Sequence, residues 1–200
     1  MTIMLNRSLD SIAIHRLAGL VSGSLPPEHV PEDAWPELVS LALDHGLGGM
    51  LLWSLRCAGW AQLDQDPFQP LVETARHAGL HSLLLERSRR QAAKAFDLAG
   101  IPAIWLKGIG LAHTYYPQPQ LRSMSDLDVL VPLQQMQPAR EILLSIGFQP
   151  AEIDFFELAG FTDEGRHHEC LLDRTGQVKL ELHFHLLDPG VMEQLSLIHI

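Results

Sequence analysis

Two aspartates separated by one residue, Asp126 and Asp128, form the pattern in this sequence that is best suited to chemistry. They open a short apolar run ending at Val131, which predicts a buried strand. Side chains alternate between the two faces of a strand, so both carboxylates are expected on one face. Hard cations such as Mg2+ prefer carboxylate oxygens shared with substrate phosphates, so the pattern favours metal-assisted phosphoryl or nucleotidyl transfer.

A second strand is predicted over residues 177–186, where apolar and polar side chains alternate. If this strand lies beside the Asp126 strand, Glu181 becomes a third carboxylate on the same face, and three carboxylates can hold two Mg2+ ions about 4 Å apart. Exposure to solvent would explain the same polar face equally well. Strand register would decide between the two explanations, but it cannot be read from one sequence. The polar face carries Lys179, Glu181, His183 and His185.

Two other metal-using classes remain open at this point. His183 and His185 are two residues apart on one strand face, where they could share a zinc ion with Glu181 in a hydrolase. The D-x-D pattern also occurs in nucleotide-sugar glycosyltransferases, although those enzymes normally place a larger α/β domain before it. The zinc hydrolase leaves the Asp126/Asp128 pair and Lys107-Gly108 without a role.

Lys107 and Gly108 stand between a strand predicted over residues 101–106 and a helix predicted over residues 109–115. A glycine at such a turn lets backbone N–H groups approach a phosphate, and the helix N-terminus behind it favours negative charge. Lys107 would add a positive charge. The same two residues also serve as an ordinary turn in many proteins.

Composition restricts the function classes. The 200 residues, of which 46% are hydrophobic, can bury a sizeable core, and the formal net charge of −10 argues against extended nucleic-acid binding. Cys57 and Cys170 are too few for a disulfide framework or a cysteine zinc site. The longest uncharged apolar stretch, residues 46–55, is about half the length that spans a bilayer, which predicts a cytoplasmic protein with no membrane partner.

The predicted secondary structure changes character near residue 100. Helical periodicity over residues 8–21, 33–44, 50–58 and 68–99 predicts a helical region at 1–100. Strands and helices then alternate, with a helix at residues 136–146 and a hairpin of strands at 167–172 and 177–186. The fold class expected from this order is α/β (α+β).

The combination resembles the nucleotidyltransferase superfamily built on the polymerase-beta-like palm, and more closely its branch of uncharacterised bacterial nucleotidyltransferase family proteins. The resemblance runs from about residue 101 to residue 186 and implies a small mixed-sheet palm with flanking helices at 101–190. It is carried by Leu106-Lys107-Gly108, Tyr115-Tyr116, Arg122, the run from Asp126 to Val131, and the run from Val178 to His183.

The resemblance implies transfer of a nucleoside monophosphate from an NTP to a hydroxyl of an unknown small-molecule or protein acceptor. Mg2+ or Mn2+ would be held by Asp126, Asp128 and Glu181, with His183 orienting a ligand carboxylate or a substrate group. The superfamily's usual Gly-Ser or Gly-Gly turn is absent, since Ile109 follows Gly108. The residues expected near the triphosphate are Lys107, Gly108 and Arg122, with Lys107 or Ser123 replacing the missing serine.

A catalytically silent relative that binds a partner or senses a nucleotide is the alternative from a different functional class. The last residues, Leu195 to Ile200, favour this alternative, because they resemble the translation of a transposon end used in sequencing libraries. We therefore expect a non-native tail at 195–200 and a palm truncated at its C-terminus, because members of the resembled branch continue into further helices.

Overall fold

A computed structural model of the chain describes residues 11–151 and 168–185. These residues form two compact units, the first comprising 11–80 and 117–123 and the second comprising 81–116, 124–151 and 168–185. The elements are six helices and a mixed five-stranded sheet, which confirms the expected α/β class. The predicted division into 1–100 and 101–190 stays a prediction, and the predicted tail at 195–200 lies outside the described residues.

The first unit is helical, and its apolar positions recur every three to four residues. Helices α1 (Ser11–Ser22), α2 (Trp35–Asp44) and α3 (Gly48–Cys57) enclose its core, and α4 (Gln69–Ala99) begins in this unit. The Trp35 ring packs at 5.0 Å from the Phe68 ring and at 5.5 Å from the Trp60 ring, measured between centroids. The fully buried leucines of this core are Leu20, Leu38, Leu51, Leu55 and Leu71.

The second unit contains the sheet, with strand order β1-β2-β5-β4-β3. Strands β2 and β5 run parallel, and every other neighbouring pair runs antiparallel. The elements in chain order are β1 (Ile104–Leu106), α5 (Lys107–Tyr115), β2 (Asp126–Leu130), α6 (Met136–Ser145), β3 (Gln149–Pro150), β4 (His168–Leu172) and β5 (Lys179–His183). The central strands of this sheet are therefore the two that carry the predicted carboxylates.

One face of the central strands forms the core of the second unit. Leu127 and Val129 on β2, and Leu180 and Leu182 on β5, are completely buried. Each such side chain stabilises the fold by about 1.5–3 kcal/mol through removal of apolar surface from water. Alternation along the strands then leaves Asp126, Asp128, Glu181 and His183 on the opposite face. The helices contribute Leu85, Ala92, Phe96, Ile109, Ala139 and Leu143 to the same core.

Element boundaries differ from the sequence expectations at the edges of the sheet. The strand expected over residues 101–106 starts only at Ile104, beyond Pro102, which has no N–H to donate. The helix expected from residue 109 starts at Lys107. The edge strand β3 was not predicted, because two residues are too few to show an alternating pattern.

Candidate metal and nucleotide site

The register of the two parallel central strands brings the predicted carboxylates together. Asp128 is the partner of Glu181 across β2 and β5, and Asp126 is the partner of Lys179. Neighbouring residues in register point to the same face of a sheet, so their side chains meet. The two strands are therefore neighbours, as the prediction of Glu181 as a third carboxylate required.

Asp128 is a buried carboxylate that is surrounded by hydrogen-bond donors. Its side chain is 4% exposed, and its Oδ1 accepts from Lys107 Nζ at 2.7 Å and from His183 Nε2 at 2.9 Å. A carboxylate this far from water requires compensation of its charge and hydrogen bonds. Lys107 and His183 supply both.

The two oxygens of Glu181 face different cations. Oε2 lies 3.4 Å from His183 Nε2 and 3.9 Å from Lys107 Nζ, whereas Oε1 lies 2.7 Å from Lys179 Nζ. The hydrogen bond from His183 is the main reason that the pKa of Glu181 falls well below its usual range. Burial opposes this shift, and Lys179 reinforces it. Glu181 is therefore an ionised acceptor at neutral pH.

His183 links the two carboxylates. Burial of the ring by itself would lower the pKa of His183, but the hydrogen bonds to Asp128 and Glu181 outweigh burial and raise it. Because a carboxylate oxygen only accepts, Nε2 carries the proton in this arrangement. The His168 ring packs beside the His183 ring at 4.9 Å between centroids, from the neighbouring position on β4.

Asp128, Glu181 and His183 also form a group that could hold a metal ion, since one ligand atom from each lies within 4.8 Å of the others. Two carboxylate oxygens and one imidazole nitrogen suit a divalent ion that accepts both ligand types. Within the described part of the chain, neither Asp126 nor His185 belongs to this group. Asp126 instead places its Oδ2 3.6 Å from Lys179 Nζ, and His185 follows the end of β5.

Lys107 holds a backbone conformation that is unusual for its type. It is the first residue of α5 and has a φ of +44°, in the left-handed region that favours glycine. Such a conformation costs about 1–3 kcal/mol and persists where surrounding contacts hold it. Burial lowers the pKa of Lys107, but the hydrogen bond to Asp128 and the nearby carboxylates outweigh burial and raise it.

Comparison with known proteins bears directly on this arrangement. Residues 31–197 match a family described as an uncharacterised nucleotidyltransferase. The chain belongs to this nucleotidyltransferase family. The resemblance expected from the motifs is thereby confirmed, and the match includes both central strands. No curated protein matches the sequence.

Other residues predicted for the nucleotidyltransferase site occupy different surroundings. Gly108 lies beside Met124, whose Cγ would be 3.2 Å from an added Cβ. Arg122 and Ser123 belong to the first unit, where they follow the 3-10 turn Pro119–Leu121, Arg122 half-buried and Ser123 exposed. The roles assigned to these three residues at the triphosphate stay predictions.

Sequence reasoning missed two features of this region. Gly110 is required by close packing, because an added Cβ would lie 2.7 Å from the Trp105 carbonyl oxygen. The G-x-G spacing of Gly108 and Gly110 was the available signal. Lys179 was visible on the polar strand face, but its contacts with Asp126 and Glu181 depend on side-chain placement that spacing does not reveal.

The described residues also bear on membrane association. None of the helices among them is both long enough and apolar enough to cross a bilayer.

Proposed function

We propose that this protein is a metal-dependent nucleotidyltransferase that moves a nucleoside monophosphate from an NTP to a hydroxyl of a small-molecule or protein acceptor. The observation that carries the proposal is the Asp128–Glu181 pair across parallel strands, with His183 in ligand reach of both, in a chain that belongs to a nucleotidyltransferase family. A fixed acidic group on a rigid sheet suits a reaction that depends on positioning and charge stabilisation.

The metal in this proposal is Mg2+ or Mn2+, held by Asp128, Glu181 and His183 with Asp126 nearby. The carboxylates of this group fit such an ion, because Glu181 is ionised and both side chains supply hard oxygen ligands. The imidazole of His183 suits Mn2+ better than Mg2+. When bound, the ion supplies charge neutralisation for the transferring phosphoryl group and the leaving pyrophosphate. His183 must release the Nε2 proton to act as a ligand, so in the protonated state it only holds the carboxylates in place.

The proposed triphosphate ligands within the second unit are Lys107 and Gly108, and the roles of Arg122 and Ser123 stay predictions from the resemblance. The Lys107 side chain is 60% exposed while its ammonium contacts Asp128, so the same group can reach a phosphate beside the carboxylates. Its position at the start of α5 places backbone N–H groups of the first helical turn next to it. Lys107 would orient the triphosphate, and Asp128 and Glu181 would position the phosphoryl group that is transferred.

Incubation of the full chain with each labelled NTP and Mg2+ or Mn2+, across a panel of hydroxyl acceptors, tests the proposal. Pyrophosphate release with formation of a nucleotidylated product is expected, and Asp128→Asn should reduce both by about a hundred- to a thousand-fold. Asp97→Asn is the matched control, because it removes the same charge from an exposed position on α4. Absence of product with every NTP, or full activity in Asp128→Asn, would contradict the proposal.

A specific observation also favours a catalytically silent relative. The ammonium groups of Lys107 and Lys179 already compensate Asp128 and Glu181, as in a site that needs no metal ion to be stable. Such a protein would sense a nucleotide or bind a protein partner. It would bind an NTP with measurable affinity, release no pyrophosphate, and lose little affinity when Asp128 is replaced by Asn.

A further inference from the structure

Lysine is scarce in this chain, and its distribution is uneven. The sequence contains three lysines, of which Lys107 and Lys179 contact the carboxylates of the proposed site and Lys94 is exposed on α4. Lys107 contacts the Asp128 side of the site. Lys179 contacts the other side, with Nζ 2.7 Å from Glu181 Oε1 and 3.6 Å from Asp126 Oδ2.

The Lys179 ammonium lies where a second cation would have to bind. Glu181 turns Oε2 toward His183 and Asp128, which form the metal-binding group, and turns Oε1 toward Lys179. The remaining carboxylate, Asp126, faces the same ammonium. A pair of metal ions sharing these carboxylates would need the oxygens that Lys179 already contacts. Lys107 also lies beside the carboxylates, but its side chain is 60% exposed and can turn toward a phosphate, whereas Lys179 is 40% exposed and lies between two carboxylates.

The charges of the site lead to the same conclusion. Three carboxylates carry three negative charges, and the two ammonium groups leave one negative charge when His183 is neutral. One divalent ion reverses that balance to a single positive charge, which suits an anionic triphosphate. A second ion would come close to the ammonium of Lys179, where like charges repel strongly because the site is partly buried.

We propose that Lys179 takes the place of a second metal ion, so that the side chains of this site bind a single divalent cation at Asp128, Glu181 and His183. This inference rests on the proposed function for the metal site, and it replaces the sequence expectation of two Mg2+ ions on three carboxylates. Lys179 is then a positioning residue that holds Asp126 and Glu181 Oε1, leaving Glu181 Oε2 for the ion.

The experiment counts metal ions on the full chain without nucleotide. Mn2+ is titrated into the protein, and the free ion is measured by electron paramagnetic resonance to give the number bound per chain. A single ion is expected for the wild type and two for Lys179→Met, which keeps most of the length of the unbranched side chain and removes its charge. Lys179→Arg keeps the charge and should bind a single ion.

Lys94→Met is the matched control, because it removes the same charge from the third lysine of the sequence, which is exposed on α4. This variant should bind a single ion. Lys179→Gln serves as a second uncharged variant if Lys179→Met does not fold. Two ions on the wild type, or a single ion on both folded uncharged variants, would overturn the inference and leave the proposed function intact. No bound ion, or binding unaffected by Asp128→Asn, would overturn both.

Discussion

Two charged clusters in the second unit look alike at first and differ in the sign of their excess charge. In the Glu86 cluster, made of Glu86, Arg89, Arg90 and His113, one carboxylate is surrounded by three basic side chains. In the site cluster, made of Asp126, Asp128, Glu181, His183, Lys107 and Lys179, three carboxylates share two ammonium groups and one imidazole.

The difference separates a structural ion-pair network from a candidate ligand site. Both oxygens of Glu86 accept from arginine, and His113 adds a further donor from α5, so this cluster connects α5 to α4 and has no spare negative charge. The site cluster keeps a negative charge beside oxygens that can still bind a cation. Helix α5 connects the two clusters, because Lys107 begins it and His113 lies in its last turn.

The largest expected effect separates the clusters by activity. Asp128→Asn should reduce nucleotidyl transfer by about a hundred- to a thousand-fold, because charge stabilisation in the transition state is lost. Glu86→Gln removes one carboxylate charge from the other cluster and should leave the rate per folded molecule nearly unchanged. Rates of pyrophosphate release measure both, and equal losses in the two variants would show that the site cluster has no specific role in activity.

The second effect separates the clusters by stability. Glu86→Gln should lower the free energy of unfolding by about 2–3 kcal/mol, because Arg89 and His113 lose a charged acceptor. Urea denaturation followed by circular dichroism measures the change. The same protein should still bind Mn2+ with wild-type stoichiometry. Unchanged stability would remove the structural role assigned to the Glu86 cluster.

A smaller effect concerns the helix that joins the clusters. Gly110→Ala should lower the free energy of unfolding by about 1–2 kcal/mol, because its Cβ would meet the Trp105 carbonyl oxygen at 2.7 Å. Gly108→Ala is the matched control, since its Cβ would meet only the flexible Met124 side chain. If Gly108 contacts the triphosphate, Gly108→Ala should weaken NTP binding without a comparable loss of stability. Equal destabilisation by the two variants would contradict this distinction.

The smallest expected effect is a difference in pH dependence. The hydrogen bond from Arg89 is the main cause that lowers the pKa of Glu86 to about 2 from an ordinary 4.5; burial opposes the shift, and Arg90 and His113 support it. Its stabilising contribution is therefore present above pH 4.5 and lost as the pH falls toward 2. The pKa of His183 is raised above its ordinary 6.5, so its contribution is present below pH 6.5 and lost as the pH rises through the raised pKa.

Stability curves of metal-free protein, recorded in chelator, test both windows. Glu86→Gln should differ from wild type least at the acid end, and His183→Gln should differ least at the alkaline end. Stability is thus lost toward acid pH through Glu86 and toward alkaline pH through His183. If the free energy of unfolding of His183→Gln differs from that of the wild type by the same amount at every pH from below 6.5 upward, the pKa of His183 is not raised.

Much of the second unit was predictable because its signals are local. Alternation placed Asp126 and Asp128 on one strand face, and Glu181 and His183 on another, before any pairing was known. The order of helices and strands predicted the α/β class, and the motifs predicted the family, both of which are confirmed. The roles of individual site residues stay predictions.

Features that depend on side-chain packing could not be predicted. Spacing could not show that Asp128, Glu181 and His183 bring ligand atoms within 4.8 Å of one another while Asp126 lies beside Lys179, because these distances depend on side-chain placement. The positive φ falls on Lys107 and not on the neighbouring Gly108, although glycine is the residue type that adopts this conformation most readily. The Glu86 cluster joins residues 27 positions apart on separate helices.

Which side chains share a strand face follows from the order of the residues alone, because successive side chains of a strand point to opposite faces. Tertiary packing, by contrast, makes the two acidic strands parallel neighbours with Asp128 opposite Glu181. That register depends on burying Leu127, Val129, Leu180 and Leu182 together, and a shift by one residue would turn the carboxylates into the core. The predicted carboxylates meet because the opposite face of their strands excludes water.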